Sequence, residues 1–550
     1  MNILKSKIEA MLKEKKYDIS TCLVTLSDID SLVNKLKTDK SDGNLGLYSD
    51  HIIHGTNTLF TYLTLLFNAM IVHGCGPSDM CIGTMIPIPK SKRINTQISD
   101  NFRGICLQSM FCKILDLFIL SKENVNLLTS NLQFGFKEKL SVSIATAVVT
   151  ETIDYYLSND GTVFCVALDA SKAFDRVSYI KLFNMLIERK CNVFYIRLLL
   201  SMYITQSIRV RFGDIISNPF IVTNGVKQGG ILSPTLFICY INGLISLLEK
   251  SYAGCTVGKN YVGCVSYADD LVLLAPSLSA LNDMIKICEA YAAEYYIKYN
   301  GSKSKLMVFD KRPGSVCPDV YINNEKLDVV NEFKYLGHIM YDDRLNPMMD
   351  YVQKDFITKA NTCLTDFGAI SSPIKHSLIE KYCYSFYGVN LCNFDSPRFN
   401  ILCTEWRKVM RRVWGIPPRT HCNLITHIAE CTPPEVFLYQ RYAGFYFSGI
   451  LSSNCIVSSL FHNSLFYPTR LGNNIRCILE KVNCCFSNIR NLSVTILKKR
   501  ILQQWGSSVL EGNVFKGQQI RQLIEQRDSL SKWLLTKHQC QDIITILCTE

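Results

Sequence analysis

An apolar stretch that ends in an acidic residue constrains the fold of this 550-residue chain more than any other feature. Residues 162–168 form an apolar run with β-branched and aromatic members, which predicts a buried strand that ends at Asp169. Residues 261–275 form two further apolar β segments around Ala-Asp-Asp at 268–270, which predicts a hairpin with acids at its turn. If the strand and the hairpin pair in one sheet, three carboxylates converge at its edge.

Each of these acids alone has an ordinary explanation, because acids often follow strands or occupy solvated turns. Brought together, Asp169, Asp269 and Asp270 would repel one another by about 4 kcal/mol per pair at about 4 Å and an effective dielectric near 20. A fold tolerates this repulsion when a cation lies between the carboxylates, and all-oxygen ligands select the hard ions Mg²⁺ or Mn²⁺. Two such ions about 4 Å apart are one arrangement that promotes in-line phosphoryl transfer.

The charge balance permits a polyanionic partner without requiring one. Lys and Arg number 59 against 47 Asp and Glu, a net charge of +12, and 48% of the residues are apolar, which excludes a disordered chain. The 24 cysteines are scattered without a C-x-x-C pair, and residues 1–16 lack an apolar signal core. We therefore expect reduced thiols and an intracellular location, with the nucleus as the compartment and no membrane partner.

The chain divides into four predicted regions around an α+β centre. The predicted regions are a helical extension at 1–78, a strand-containing part at 79–341, and mainly helical parts at 342–440 and 441–550. Long uncharged stretches at 51–78 and 442–469 are interrupted by polar residues, so they predict buried helices of a soluble protein rather than membrane spans.

An ordered series of motifs surrounds the acids. Tyr-Ala-Asp-Asp at 267–270 is similar to the [Tyr/Phe]-x-Asp-Asp box of reverse transcriptases. Six other motifs of that family have counterparts in the expected order: NFRGICL at 101–107, QFGF at 133–136, ALDASKAFDRV at 167–177, NGVKQGGILSPTLF at 224–237, NGSKSK at 300–305 and FKYLG at 333–337. The order and spacing fit across about residues 37–345, and a chance assembly of seven ordered motifs is negligible.

The details of these motifs resemble one lineage of the family. FDRV after the first acid, QGGILSP, and KSDG at 40–43 are similar to the reverse transcriptases of non-LTR retrotransposons of the long-interspersed, Jockey-like kind. The resemblance implies a right-hand polymerase with fingers, a palm built on an antiparallel sheet, a helical thumb, and helical N- and C-terminal extensions. It also implies an RNA-directed DNA polymerase with two Mg²⁺ (or Mn²⁺) ions, an RNA template, a DNA primer and deoxynucleoside triphosphates as partners.

The resemblance assigns the chemistry to a small set of residues. Asp169 and Asp269 coordinate both metals, Asp270 is a weaker or indirect ligand, and the backbone carbonyl of Ala170 completes the triphosphate-side site. Lys303 protonates the departing pyrophosphate, although a plain surface lysine is an equally ordinary interpretation.

Nucleotide selection falls to residues in three other motifs. Phe174 resembles the steric gate that excludes a ribose 2′-hydroxyl, with an ordinary core phenylalanine as the alternative. Arg103 and Lys90 would contact the triphosphate, since a guanidinium fork suits phosphate oxygens. Gln228 and Gly229 would approach the template base and the nucleotide closely, and a simple turn is compatible with the same residues.

A basic cluster lies in the predicted thumb. Arg407, Lys408, Arg411 and Arg412 recur on a helix and predict a face that follows a phosphate backbone, with a solvated face as the alternative. For the whole chain the alternatives are an inactive remnant that only binds RNA and a reverse transcriptase of another lineage. Because 78 residues before the fingers are too few for an endonuclease, we expect a separate endonuclease activity as a partner.

Overall fold

The computed structural model combines helices with short sheets. It describes residues 1–13, 18–43, 46–91, 95, 97–310, 319–341, 347–484, 493–507, 518–519 and 521–522. The described helices are α1 (Asn2–Lys13), α2 (Leu26–Val33), α3 (Ser49–Ile53), α4 (Asn57–His73), α5 (Met110–Glu123), α6 (Val142–Ser158), α7 (Tyr179–Glu188), α8 (Val193–Ile204), α9 (Ser233–Ser251), α10 (Leu278–Glu294), α11 (Pro347–Asp366), α12 (Ser372–Cys383), α13 (Pro397–Trp414), α14 (Cys422–Ala429), α15 (Pro434–Ile450), α16 (Cys455–Asn463), α17 (Arg470–Lys481) and α18 (Val494–Ser507).

The strands of the described residues are short and lie in the middle of the chain. They are β1 (Ile82–Pro89), β2 (Phe102–Leu107), β3 (Val163–Leu168), β4 (Ser207–Phe212), β5 (Ile215–Ile216), β6 (Phe220–Ile221), β7 (Thr256–Val257), β8 (Asn260–Tyr261), β9 (Cys264–Tyr267), β10 (Asp270–Ala275), β11 (Lys305–Phe309), β12 (Tyr321–Ile322), β13 (Glu325–Lys326), β14 (Asp328–Val329), β15 (Glu332–Tyr335) and β16 (His338–Tyr341).

The central sheet has the order β14-β11-β3-β10-β9. Strand β3 pairs antiparallel with β10 and β11, and β10 pairs antiparallel with β9, so the predicted strand and hairpin do share one sheet. The apolar residues of β3, β10 and β11 are almost completely buried against α6, α9 and α10, which explains their uninterrupted apolar runs. This sheet corresponds to the predicted palm.

A second sheet, here the N-terminal sheet, has the order β2-β1-β4-β5, with β6 also paired to β4. Strand β1 pairs antiparallel with β2 and parallel with β4. The predicted helical character of residues 1–78 is confirmed in helices α1–α4, which share a second apolar core with α5, α7 and α8. The N-terminal sheet corresponds to the predicted fingers.

Beyond the strands the described chain is helical, as predicted. Helices α11, α12 and α13 pack on one another, and α11 also contacts β16. Trp406 and Trp414 of α13 are fully buried. The predicted division between 440 and 441 falls inside α15, so the secondary structure gives no boundary there, and the division between 78 and 79 falls in the 3-10 turn Ser78–Cys81.

The C-terminal helices pack against the back of the central sheet. Helices α16 and α17 contact α6, which covers that sheet. Arg470 at the start of α17 forms an ion pair with Asp154 of α6, with 3.4 Å between Nη2 and Oδ1, and its backbone N–H donates to the same carboxylate at 3.1 Å. Among the described residues, we find no helix that combines the length and the apolar character needed to cross a membrane.

Glu151 lies in the same interface and should make stability depend on pH. Burial raises the pKa of the Glu151 carboxyl from 4.5 to about 8, and the nearby charge of Asp154 adds to this effect. The folded protein therefore binds the proton more tightly than the unfolded chain. The stability that this proton contributes is complete below pH 4.5 and is lost as the pH rises through 8.

We accordingly expect Glu151→Gln to melt roughly a few degrees above the wild type at pH 9 and at about the same temperature near pH 4. Thermal unfolding monitored by circular dichroism across this range tests the prediction. Glu188→Gln, a change at an exposed residue of α7, is the matched control and should follow the wild type. Identical pH profiles for Glu151→Gln and the wild type would contradict it.

Candidate active site

The turn between β9 and β10 carries two of the predicted catalytic acids. Asp270 opens β10 opposite Tyr267 at the end of β9, so Ala268 and Asp269 form a two-residue connection. Ala268 has a φ of 58°, in the left-handed region that residues with a Cβ rarely adopt. The predicted hairpin with acids at its turn is therefore confirmed.

Asp169 lies at the same edge of the sheet, because Leu168 of β3 is opposite Leu271 of β10. Its backbone N–H donates to Ser304 Oγ at 3.1 Å, and its carbonyl accepts from the N–H of Asn300 at 2.9 Å. The next residue, Ala170, pairs with Tyr299. The NGSKSK loop thus fixes the backbone that follows the strand.

The electrostatics place the three acids within reach of one another. Burial, to which the charges of Asp269 and Asp169 add and which Arg103 opposes, raises the pKa of Asp270 to about 6. Burial also raises the pKa of Asp269, where Asp169 again adds to the shift and Arg103 opposes it. The pairing of β3 with β10 brings Asp169, Asp269 and Asp270 to one edge of the sheet, and their metal-binding roles stay a prediction.

These residues fit a divalent cation by their chemistry. The carboxylates of Asp169, Asp269 and Asp270, with the carbonyl of Ala170, form an all-oxygen donor set that hard ions prefer. Asp169 and Asp269 are half-buried and Asp270 is exposed, and a bound cation would relieve the repulsion among their charges. Within the described ranges, however, no three His, Cys, Asp or Glu side chains stand in an arrangement that could already hold a metal ion. The donors are gathered, but their side chains are not in a coordinating geometry.

A cleft of about 340 Å³ opens beside the acids. The residues that line it include Asp169, Asp270, Lys303, and Lys334 and Tyr335 of β15. The structure therefore brings Lys303 into the same cleft as the acids, as predicted. The FKYLG motif contributes Lys334 and Tyr335 to the cleft, which the sequence analysis did not single out.

Arg103 and Lys90 project from the N-terminal sheet. Arg103 is an exposed residue of β2, and its charge opposes the rise in the pKa of both Asp269 and Asp270. Lys90 donates through Nζ to the backbone carbonyl of Asp100 at 2.6 Å. Lys172, three residues after Asp169, forms an ion pair with the Asp100 carboxylate at 2.7 Å. The sequence analysis missed Lys172, although its position inside the first catalytic motif was visible.

Phe174 lies half-buried in a group of aromatic rings. Its ring stacks on Phe237 with 4.4 Å between centroids, and Phe136 packs edge-to-face on it at 6.3 Å. The Phe174 carbonyl accepts from the N–H of Val226 at 2.8 Å. One face of the ring is therefore held by packing, while part of the side chain remains accessible, as a residue beside a bound nucleotide requires.

The Gln228-Gly229 segment lies against the edge of β2. The Gln228 carbonyl accepts from the N–H of Cys106 at 2.6 Å. Gly229 has a φ of 109°, and a Cβ at this position would lie 2.8 Å from the Cys106 carbonyl oxygen. Glycine is therefore required at 229. Gln228 Nε2 also approaches Asp175 Oδ1 at 3.4 Å, which connects this segment to the loop after the first acid.

The basic cluster of α13 makes contacts within the chain, and its role in phosphate binding stays a prediction. Arg407 pairs with Glu435, Arg411 donates to the Thr420 carbonyl at 2.8 Å, and both side chains are only partly exposed. Arg412 donates to Asn361 at 2.6 Å, and Lys408 pairs with Glu405 at 2.7 Å, although both remain exposed. Side chains four residues apart share a side of a helix, so Arg407 and Arg411 lie on one side and Lys408 and Arg412 on another.

Comparison with known proteins identifies the class. Residues 88–340 match the family described as reverse transcriptase (RNA-dependent DNA polymerase). The central sheet, the acidic turn and Arg103 lie in this stretch, whereas most of β1 precedes it. Residues 88–340 are thus similar to reverse transcriptases, and the described structure has the α+β fold of a right-hand polymerase.

The similar curated proteins define the lineage. The chain is 26% identical over 330 residues to the RNA-directed DNA polymerase from mobile element jockey of Drosophila funebris, a match covering 58% of this chain and 35% of that protein. The protein of the same name from Drosophila melanogaster is 25% identical over 415 residues, covering 72% of this chain and 44% of that protein. The chain is therefore similar to the RNA-directed DNA polymerases of jockey mobile elements, and its match spans less than half of either relative.

A solved telomerase also resembles the chain. The structure of apo telomerase from Candida tropicalis is 11% identical and covers 70% of this chain and 69% of that one, with a TM-score of 0.35. At this score the likeness supports no conclusion about function.

Proposed function

We propose that the protein is an RNA-directed DNA polymerase that adds deoxynucleotides to a primer 3′-hydroxyl on an RNA template. The observation that supports this best is the convergence of Asp169, Asp269 and Asp270 at one edge of the palm sheet, where burial and mutual repulsion raise the pKa of Asp269 and Asp270. Such a set of converging carboxylates suits the binding of divalent cations for phosphoryl transfer.

The chain's own residues would perform distinct parts of the reaction. Asp169 and Asp269, with the Ala170 carbonyl, would hold two Mg²⁺ ions, which supply charge neutralisation and activation of the 3′-hydroxyl. Asp270 would assist as a weaker or indirect ligand. Lys303, which lines the same cleft, would donate a proton to the departing pyrophosphate.

The incoming nucleotide would be held from the fingers side. Arg103, whose charge opposes the rise in the pKa of the acids, suits the triphosphate oxygens, with Lys90 nearby on the same hairpin. The backbone at Gln228 and Gly229 would approach the template base and nucleotide, since glycine removes the bulk that a Cβ would add. Phe174 would lie against the sugar and exclude the 2′-hydroxyl.

The partners would be an RNA template, a DNA primer and deoxynucleoside triphosphates. In the thumb we retain Lys408 and Arg412 as the candidates for phosphate contacts, because both are exposed. Arg407 and Arg411 are partly buried in contacts within the chain, so they are weaker candidates. We further propose that the protein acts in the nucleus, where a DNA target for reverse transcription is present.

Primer extension tests the proposal directly. The full chain is incubated with an RNA template, a labelled DNA primer, the four deoxynucleoside triphosphates and Mg²⁺, and the products are resolved by length. Templated extension that stops when one nucleotide is omitted is the expected result. RNA binding without extension would instead favour the alternative of an inactive RNA-binding remnant.

Sugar discrimination tests the role of Phe174. Phe174→Val removes the ring from its stack on Phe237 and opens space beside the nucleotide sugar. We expect ribonucleotide incorporation relative to deoxynucleotide incorporation to rise by on the order of 10- to 100-fold, about 1–3 kcal/mol of lost discrimination. Single-nucleotide incorporation kinetics with matched ribo- and deoxynucleotides measure the ratio. Phe466→Val, at a 67% exposed residue, is the control, and an unchanged ratio in Phe174→Val would argue for a core phenylalanine.

A further inference from the structure

A short segment, Gln133–Phe136, lies along the free edge of the palm sheet. The N–H of Ser266 in β9 donates to the Leu132 carbonyl at 2.9 Å, and the N–H of Phe134 donates to the Ser266 carbonyl at 2.8 Å. Gln133 and Ser266 form an isolated parallel bridge. The segment therefore extends the sheet by one more stretch of backbone beside the strand that leads into the acidic turn.

The buried amide of Gln133 holds the turn itself. Its Oε1 accepts from the N–H of Ala268 at 3.0 Å and from the N–H of Gly135 at 2.8 Å, and its Nε2 donates to Ser266 Oγ at 2.9 Å. Ser266 Oγ in turn donates to the Ala268 carbonyl at 3.1 Å. Both backbone polar groups of Ala268, the left-handed residue before Asp269, are thus fixed by two side chains that are fully buried.

Gly135 permits this close approach. A Cβ at position 135 would lie 2.5 Å from the backbone nitrogen of Ala268, a distance that no side chain allows. The segment therefore packs directly on the backbone of the turn. A left-handed alanine costs roughly 1–2 kcal/mol, and such a conformation persists only when its surroundings determine it.

The other end of the segment contacts the aromatic group around Phe174. Phe136 has a φ of 58°, which is rare for a bulky residue, and its side chain is 53% exposed. Its ring packs edge-to-face on Phe174, whose opposite contact is the stack on Phe237. The left-handed backbone at Phe136 thus directs an otherwise exposed ring onto the predicted sugar gate.

We propose that Gln133 and Phe136 are positioning residues that act on two separate parts of the site. Gln133, with Ser266, sets the turn that carries Asp269 and so controls metal binding and the rate of the chemical step. Phe136 sets the ring of Phe174 and so controls sugar discrimination. The inference rests on the proposed polymerase function and assigns to the QFGF motif a role in both the chemistry and the selection of substrate.

Two substitutions should separate these roles. Gln133→Met keeps the volume but removes the three hydrogen bonds, and we expect the single-turnover rate to fall by on the order of 10- to 100-fold, with a higher Mg²⁺ requirement and an unchanged sugar ratio. Phe136→Leu should change the ratio of ribo- to deoxynucleotide incorporation by at least about threefold and leave the Mg²⁺ requirement unchanged. Phe136→Tyr, which keeps the ring, should restore the ratio.

Control variants distinguish a specific effect on the Mg²⁺ requirement or the sugar ratio from general destabilisation of the fold. Gln440 is a partly buried glutamine of α15 that donates to the Lys498 carbonyl of α18, and Phe466 is exposed. Gln440→Met and Phe466→Leu should change neither the Mg²⁺ requirement nor the sugar ratio. If Gln133→Met does not fold, Ser266→Ala removes one hydroxyl of the same network and should raise the Mg²⁺ requirement in the same direction. Equal effects of the Gln133 and Phe136 variants on both quantities would overturn the proposal.

A measurement without turnover separates this inference from the proposed function. Mn²⁺ binding to the protein alone, followed by electron paramagnetic resonance, should be about tenfold weaker in Gln133→Met than in the wild type and unchanged in Phe136→Leu. Absence of primer extension by the wild type would contradict the polymerase function, and Mn²⁺ binding would still test Gln133. Equal Mn²⁺ affinity of Gln133→Met and the wild type would contradict the role of Gln133.

Discussion

Replacing Asp269 by asparagine is expected to abolish RNA-templated primer extension. Asparagine keeps the shape of the side chain but removes the charge that would hold a divalent cation at the turn. Metal ions contribute several kcal/mol to the stabilisation of such transition states, so we expect the rate to fall by on the order of 10³-fold or more. Single-turnover incorporation of one deoxynucleotide at saturating Mg²⁺ measures the loss.

The same substitution should not destabilise the fold, which distinguishes it from structural damage. Burial, with the charge of Asp169 adding to it, raises the pKa of Asp269, so the ionised carboxyl is unfavourable in the metal-free protein. Asp269→Asn removes this charge, and its melting temperature at pH 8 should equal or exceed that of the wild type. Asp283→Asn, at an acid of α10 that pairs with Lys286, should retain full extension. Substantial extension by Asp269→Asn would contradict the assignment of the acid.

Gly229→Ala should lower the rate of incorporation by on the order of 10²-fold. At a φ of 109° an alanine is strained, and its Cβ would lie 2.8 Å from the backbone oxygen of Cys106. The backbone of β2 cannot move aside as a flexible side chain can. The Gln228-Gly229 segment must therefore shift away from the N-terminal sheet. A displacement of about 1 Å near reacting groups is sufficient to cost this much. Steady-state kinetics should show a lower kcat together with a higher KM for the nucleotide.

A matched glycine separates the clash from backbone strain. Gly213 has a φ of 62°, and no atom lies within 4 Å of the position that its Cβ would occupy. Gly213→Ala therefore introduces left-handed strain of about 1 kcal/mol without a clash, and its kinetics should match the wild type. Equal activity of Gly229→Ala and Gly213→Ala would show that close approach at 229 is not required.

The palm could be predicted from the sequence because its signals are local. The run before Asp169 and the two β segments around Asp269 are more apolar than the residues that flank them. The order of the motifs that contain them resembles that of reverse transcriptases. Burial on both faces explains why β3 and β10 lack alternation. The convergence of the acids then follows from antiparallel pairing of β3 with the hairpin.

Other parts of the site depend on contacts that no local pattern reveals. A glutamine is usually exposed, so nothing in the sequence indicated that Gln133 is buried beneath a turn 135 residues away. The helix α13 was predicted correctly from the spacing of its basic residues. No local pattern, however, indicates that Glu435 pairs with Arg407. Pairing partners are set by tertiary packing, whereas charge spacing reports only which residues share a helix side.

The C-terminal contact with helix α6 has a consequence for synthesis on the ribosome. Asp154 and its partner Arg470 are 316 residues apart, so at about 5–20 residues per second roughly 15–60 s pass between their translation. During this interval α6, which carries the buried carboxyls of Glu151 and Asp154, lacks its contacts with α16 and α17. The nascent chain must therefore wait, with α6 incompletely covered and exposed to chaperones or aggregation, until α16 and α17 emerge.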